Sequence, residues 1–408
     1  MLKKCLESKV MRDPIHGYIH VDYQVVWDCI NAKEFQRLRR IHQLGGNFQV
    51  YHTAEHSRFS HSLGVYEIVK RMVEDGEGLK DSLSEYDKVC VMLAGLLHDI
   101  GHGPFSHAFE SIANCKHEIF TQRIILEDTQ LHQILSKENA SLPKDVADII
   151  MYQHPNELLN QIVSGQLDAD RMDYLLRDAY FTGTTYGNFD LERVLRTIRV
   201  KDQRIVVKES GIHSVEDYIM ARYHMYWQVY YHPIARSYEA ILTLLFKRLK
   251  DIFEEDPSRL KGVEMFFPFL KDELATVQDH YLLDEATAQY GFHFLNNHED
   301  KILSDLSKRL LERKLFDYET ITSNKDVAKI QKAIEKNGYD VNYYFYQDHA
   351  SQRPYRPYNS QEGHNIWILN NEDEVVELSQ ISMIVQAIVM GKTKEDNKVF
   401  FPSFKDEA

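Results

Sequence analysis

The residues best suited to chemistry gather in a few short stretches of a 408-residue chain. His98 and Asp99 stand side by side in AGLLHDIGHGPFSH, with His102 and His107 close behind. His61 lies upstream in RFSHSLG, and Asp170 downstream in DADRMDYLLRD. A lone His–Asp pair arises readily by chance in a chain with 20 His. Context gives this one weight. It follows an apolar helical run, where side chains turn into a cleft, and other imidazoles and carboxylates accompany it. His61, His98, Asp99 and Asp170 form a mixed N/O ligand set. Such a set suits Fe, Mn, Zn or Ni and leaves positions open for water and substrate. The ion it holds lowers the pKa of bound water to about 7 and polarises a phosphoryl oxygen.

Further polar groups fall at helical spacing. Asp170, Tyr174 and Asp178 stand at i, i+4 and i+8, so they share one face, with Arg171 beside it. Arg222, Tyr226 and Tyr230 repeat the arrangement, and Arg58 precedes His61 by three residues. Three guanidinium forks match a polyphosphate. Arg37, Arg39 and Arg40 read instead as an exposed or interface charge run.

Helices must carry these groups. Leu63, Val65, Ile68, Val69, Met72 and Val73 form one apolar stripe. Val89 to Leu97 is apolar nearly all round, a buried central helix stopped by Gly101 and Gly103-Pro104. Ile119–Leu126, Val146–Gln153 and Met172–Tyr180 continue the pattern. RVKDQRIVVK predicts a hairpin turning at Lys201-Asp202-Gln203. A long helix from about Val215 to Phe253 should break or kink at Pro233. The chain stays helical to about Leu315. From Thr320 the texture changes: a charged helix, a Tyr-rich strand (VNYYFYQ), a polar loop, the strand NIWILN and a last helix (ISMIVQAIV). The fold expected is mainly α, with a small C-terminal α+β appendage: residues 1–320 as the core and 321–408 as the appendage.

Composition limits function. A net charge of −14 argues against a surface built for nucleic acid or anionic membrane, although a basic pocket for an anionic ligand is compatible with it. Cys5, Cys29, Cys90 and Cys115 show no CxxC spacing and read as reduced thiols. The start of the sequence lacks a signal-peptide pattern, and no apolar run is long enough to span a bilayer. The expected location is cytoplasmic.

DPIHGYIHV, FQRLRRIHQLGG, RFSHSLGV, AGLLHDIGHGPFSH, KHE and DADRMDYLLRDAYFTG, in this order, resemble the HD-domain metal-dependent phosphohydrolases. They are closest to deoxynucleoside triphosphate triphosphohydrolases of the sterile-alpha-motif and HD-domain type and their bacterial relatives. The resemblance implies a helical HD core with an N-terminal regulatory segment. His61, His98, Asp99 and Asp170 would ligate the ion, and Mg would accompany the triphosphates. His107 would be the general acid, tuned by His117 and Glu118, and His102 would meet the α-phosphate. Arg58, Arg171 and Arg222 would hold phosphates. Gln43, Tyr174 and Asp178 would read the deoxyribose 3′-hydroxyl, while Leu44 and Tyr230 would crowd a 2′-hydroxyl. A homotetramer would bind activating nucleotides, dGTP or GTP, through Lys9, Val10, Asn31, Gln36 and Arg39, and through Arg193, Lys208 and Arg313. Asn31 departs from the acid that reads guanine in the vertebrate enzyme, Ser210 from a lysine, Thr197 from an aromatic and Tyr226 from a histidine. Two other readings share parts of this pattern. One is an HD phosphohydrolase acting on another nucleotide or a nucleic-acid end. The other is a nucleotide sensor with vestigial hydrolysis.

Overall fold

The structure, a computed structural model, describes residues 2–105, 108–110, 116–271, 273–352, 355, 365–391 and 394–404. His107 and Cys115 lie outside the described residues. The fold is mainly α. The apolar run becomes the Glu85–Leu97 helix, buried from Val89 onward and opened by a capping box between Ser84 and Asp87. It crosses the Arg58–Glu74 helix, which carries the apolar stripe. Gly95 sits at the crossing, where a Cβ would lie 2.8 Å from Val69 Cγ2. The Ala169–Thr182 helix packs against the Arg58–Glu74 helix as well. Asp168 caps it, accepting from Arg171 N at 2.8 Å.

Pro233 breaks the long helix. Residues Ile212–Met225 are α-helical, Tyr226–Tyr230 form a π turn, and Pro233 opens a new helix to Glu255 at a position that needs no amide donor. Val229 O, which proline cannot serve, accepts Asn47 Nδ2 at 2.7 Å. Tyr226 and Tyr230 thereby leave regular helical register just where they border the cleft described below.

Among the described residues the strands form three small sheets. Lys4–Asp13 and Gly17–Tyr23 form an antiparallel hairpin that periodicity did not reveal. Ile198–Lys201 and Arg204–Lys208 form the expected hairpin, with Asp202 and Gln203 both at positive φ as its tight turn requires. Trp367–Leu369 then adds in parallel to Arg204–Lys208, and Val375–Glu377 follows. In the third sheet Lys394–Phe401 lies between Asp317–Thr320 and Tyr346–Gln352. Two sheets therefore bridge residue 320. The C-terminal part mixes helix and strand, but VNYYFYQ is not wholly a strand. Asp340 caps a helical turn, Val341–Tyr344, and extended chain begins at Tyr346.

Among the described residues the buried apolar side chains form two cores. One joins the N-terminal hairpin to the helices before residue 230, and takes in Ile366, Ile368, Leu378 and Val385. The other surrounds the Pro233–Glu255 helix and ends in Val399, Phe400 and Phe401. Among the described residues no helix is long and apolar enough to cross a membrane.

Candidate active site

Three helices bring the His/Asp set together. His61 lies fully buried on the first turn of the Arg58–Glu74 helix, His98 and Asp99 follow the Glu85–Leu97 helix, and Asp170 opens the Ala169–Thr182 helix. Ligand atoms of His61, His98 and Asp99 lie within 4.8 Å of one another. Asp170 Oδ1 is 3.0 Å from His61 Nε2 and 3.6 Å from His98 Nε2. His98 Nδ1 donates to Gly95 O at 2.9 Å, which turns its Nε2 toward the carboxylates. That Nε2 is buried, lies 3.2 Å from Asp99 Oδ1, and among the described residues makes no well-formed hydrogen bond. Burial opposes charge on His61, yet hydrogen bonds to Asp170 and Asp173 outweigh it and raise its pKa to about 10. Two carboxylates crowding two imidazole nitrogens call for a positive charge between them. The residues therefore fit a divalent cation, in chemistry and in their orphaned acceptor.

A cleft of about 620 Å³ opens from this cluster. Arg58, Asp99, His102, His117 and Asp170 line one end. The rings of His102 and His117 stack with centroids 3.6 Å apart. Burial, then the charges of Arg58 and His117, push His102 well below the usual imidazole range, so it is neutral. His117 Nδ1 bonds Glu110 Oε1 at 2.6 Å, whereas Glu118 Oε2 lies 3.5 Å away. Glu110 is thus the nearer partner, and the sequence reading passed it over.

Gln43, Leu44, Tyr174, Asp178 and Tyr230 line the middle of the same cleft. Asp178 accepts from Tyr230 Oη at 2.8 Å and bonds His56 Nε2 at 2.7 Å, and His56 in turn stacks on Phe181. Strand residues Asp348 and His349 also line the cleft, pinned through an ion pair from Asp348 to buried Arg236.

The arginines divide. Arg58 borders the cleft and pairs with Asp99. Arg171 is tied to Asp168 and Gly165 O, and Arg222 donates to Gln166 Oε1 at 3.1 Å; neither is among the residues lining the cleft. Arg37 corrects its reading as part of a surface charge run. It is wholly buried and donates to Leu283 O and, at 2.8 Å, to His102 O.

The residues assigned to nucleotide control are spread over the surface. Lys9 and Val10 lie exposed or partly exposed on the N-terminal hairpin. Gln36 accepts from Arg39 Nε at 2.9 Å, and Arg39 lies over the Phe59 ring. Asn31 donates to Trp27 O. Arg193 donates to Ser210 O, Arg313 to Gln49 O, and Lys208 ends its strand.

Behind the metal cluster stand groups with no role in the sequence reading: Asp13, His16, Asp173 and Arg177. Asp173 Oδ2 is 2.8 Å from His61 Nδ1, and Arg177 grips Asp173 one helical turn on. The Asp173–Arg177 i, i+4 pair was legible as a spacing; its link to His61 was not.

Comparison with known proteins agrees with this geometry. Residues 58–178 match the HD domain, and residues 189–265 match the HD associated region. The chain is 44% identical to uncharacterized protein YwfO of Bacillus subtilis over 98% of this chain and 93% of that protein. It is 31% identical to deoxynucleoside triphosphate triphosphohydrolase SAMHD1 of Danio rerio over 58% of this chain, and spans 44% of that longer protein. The crystal structure of a phosphohydrolase from Bacteroides thetaiotaomicron superposes with a TM-score of 0.85 at 27% identity, over 97% of this chain and 100% of that one. With the clustered His/Asp set at the helix ends, these matches make the chain a member of the HD-domain phosphohydrolases that carry an HD-associated region.

Proposed function

We propose that the chain hydrolyses deoxynucleoside triphosphates to a deoxynucleoside and inorganic tripolyphosphate. It does so as a homotetramer controlled by dGTP or GTP at subunit interfaces. One observation carries the reading. A single cleft joins the His/Asp cluster to the Tyr230–Asp178–His56 chain beside Gln43 and Tyr174, in a volume suited to a nucleotide. The likeness to SAMHD1 supports it.

His61, His98, Asp99 and Asp170 hold the ion, a divalent Fe, Mn, Zn or Ni. When bound, it activates water and polarises the α-phosphoryl oxygen. Neutral His102 offers a hydrogen bond to the α-phosphate without adding charge to the buried cluster. Water oxygen joins the α-phosphorus and releases a proton to solvent as the P–O5′ bond breaks. The leaving O5′ takes a proton from His107, with His117 and Glu118 tuning that acid, and solvent returns a proton to His107. Asp178, fixed by Tyr230 and His56, accepts the sugar 3′-hydroxyl, and Leu44 with the Tyr230 ring leaves no space for a 2′-hydroxyl. Arg58 faces the phosphates directly. Arg171 and Arg222 reach them by giving up Asp168 and Gln166.

Product analysis tests the proposal. Metal-loaded protein is incubated with each dNTP, alone and paired with dGTP or GTP, and products are separated by chromatography. Deoxynucleoside plus tripolyphosphate is expected, stimulated by the second nucleotide. Nucleoside monophosphate as product indicates another HD phosphohydrolase, and tight binding without turnover indicates a sensor. For the regulatory part, Arg39→Ala should impair nucleotide-driven assembly while leaving metal content unchanged, as read by sedimentation and elemental analysis.

A further inference from the structure

The motif DPIHG, at the turn of the N-terminal hairpin, has so far no task. Its geometry supplies one. Asp13 Oδ1 accepts Ile15 N at 2.9 Å and His16 N at 3.1 Å, a side-chain-closed turn that Gly17 completes at φ +74°. The turn drives the His16 side chain, only 2% exposed, inward. Its Nε2 meets Asp173 Oδ1 at 2.6 Å, across 157 residues of sequence. Arg177, fully buried, spans the two carboxylates. Nη1 donates to Asp13 Oδ2 at 2.8 Å, Nε to Asp173 Oδ2 at 2.8 Å and Nη2 to Asp173 Oδ1 at 2.9 Å. His61 Nδ1 supplies the last contact, at 2.8 Å to Asp173 Oδ2.

Asp173 thus has each oxygen met by two N–H groups, the full capacity of a carboxylate. A carboxylate held on all sides keeps one rotamer. Its bond to Nδ1 fixes the orientation of the His61 ring and aims Nε2 at Asp99 and Asp170. Arg177 comes from Asp173's own helix. His16 and Asp13 come from elsewhere, and they enter only because the hairpin is docked. Space for the arrangement is made by Gly64, where a Cβ would fall 1.9 Å from Asp173 Oδ1.

We infer that the turn of the N-terminal hairpin is a clasp on the metal centre: His16 and Asp13 act through Asp173 to position His61, and so set how tightly the chain keeps its ion. The inference rests on the metal site proposed above. Val10, three residues before Asp13, is half exposed on the same strand.

The test is metal retention rather than turnover. Full-length protein is loaded with Mn²⁺, and the equilibrium affinity and the rate of stripping by a chelator are measured, together with the Tm of the metal-free form. His16→Ala should bind Mn²⁺ about 10- to 100-fold more weakly, the usual cost of losing a group that orients a ligand. His16→Gln, which keeps an N–H for Asp173, should recover part of the loss. Asp13→Asn should weaken binding, and His20→Ala, exposed on the same hairpin, should not. Mn²⁺ affinity within about twofold of the parent in both His16 variants, with only the metal-free Tm lowered, overturns the clasp and leaves a structural brace. A parent protein that binds no Mn²⁺, Fe²⁺, Zn²⁺ or Ni²⁺ overturns the metal site itself, and this inference with it.

Discussion

Asp170 is the most open of the four proposed ligands, its side chain 34% exposed while His61 is sealed. It would therefore face both ion and substrate in the proposed mechanism, and removing it should strike both. Asp170→Ala should lose bound metal and activity together, as read by elemental analysis alongside a turnover assay. His107→Ala should keep its metal and lose at least about 100-fold in kcat, the scale of general acid catalysis. Full kcat in that variant would remove His107 from the proton path. At this scale the sequence was legible where residue type and order coincide. His61, His98, Asp99 and Asp170, singled out from their spacing and context, do come together in space. It was illegible where a role depends on who arrives from far away. His56, Glu110 and Asp173 are ordinary polar residues until folding brings Asp178, His117 and His61 to them. Arg37 misled for the opposite reason. Three nearby arginines look like a surface run, and only the carbonyls of Leu283 and His102 reveal that one of them is interior.

Elements were read well where periodicity is strong. The Arg58–Glu74, Glu85–Leu97, His117–Leu126 and Ala169–Thr182 helices each lie where an apolar stripe predicted one. Sheet partners were not readable. Strands of three or four residues, such as Trp367–Leu369 and Asp317–Thr320, carry too little alternation to announce a partner far away in sequence. The helix pair also sets the tightest steric demand in the site. Gly64→Ala would push a methyl into Asp173 and the Arg177 guanidinium, at 1.9 and 2.4 Å. Neither can retreat without abandoning a buried ionic contact. We expect a loss of about 2–4 kcal/mol in denaturant unfolding, accompanied by weaker metal binding because Asp173 is the group displaced.

For the molecule as a whole, pH acts through its buried imidazoles. His280 is packed on Phe120 and bonds Gly101 O at 2.8 Å, directly behind the site. Burial, then the charge of Arg37, hold its pKa well below 6.5. Below pH about 6.5 the unfolded chain takes up a proton that the folded chain refuses. Stability therefore falls with pH from there, by up to about 1.4 kcal/mol per unit for one such group. His280 should therefore cost the parent stability between pH 7.5 and 5.5, and the Tm of His280→Gln should drop less over that range than the parent's. An equal drop in the variant would remove His280 as a contributor.

The strand Lys394–Phe401 holds part of the cleft's wall in place, pairing with Tyr346–Gln352 while Asp396 grips Arg236. A ribosome makes this strand more than two hundred residues after it has made the His/Asp cluster. Through most of synthesis the nascent chain thus exposes metal-binding groups without the wall that would enclose a nucleotide. The residues proposed to hold the ion are thus complete in the chain long before the strand that closes the cleft.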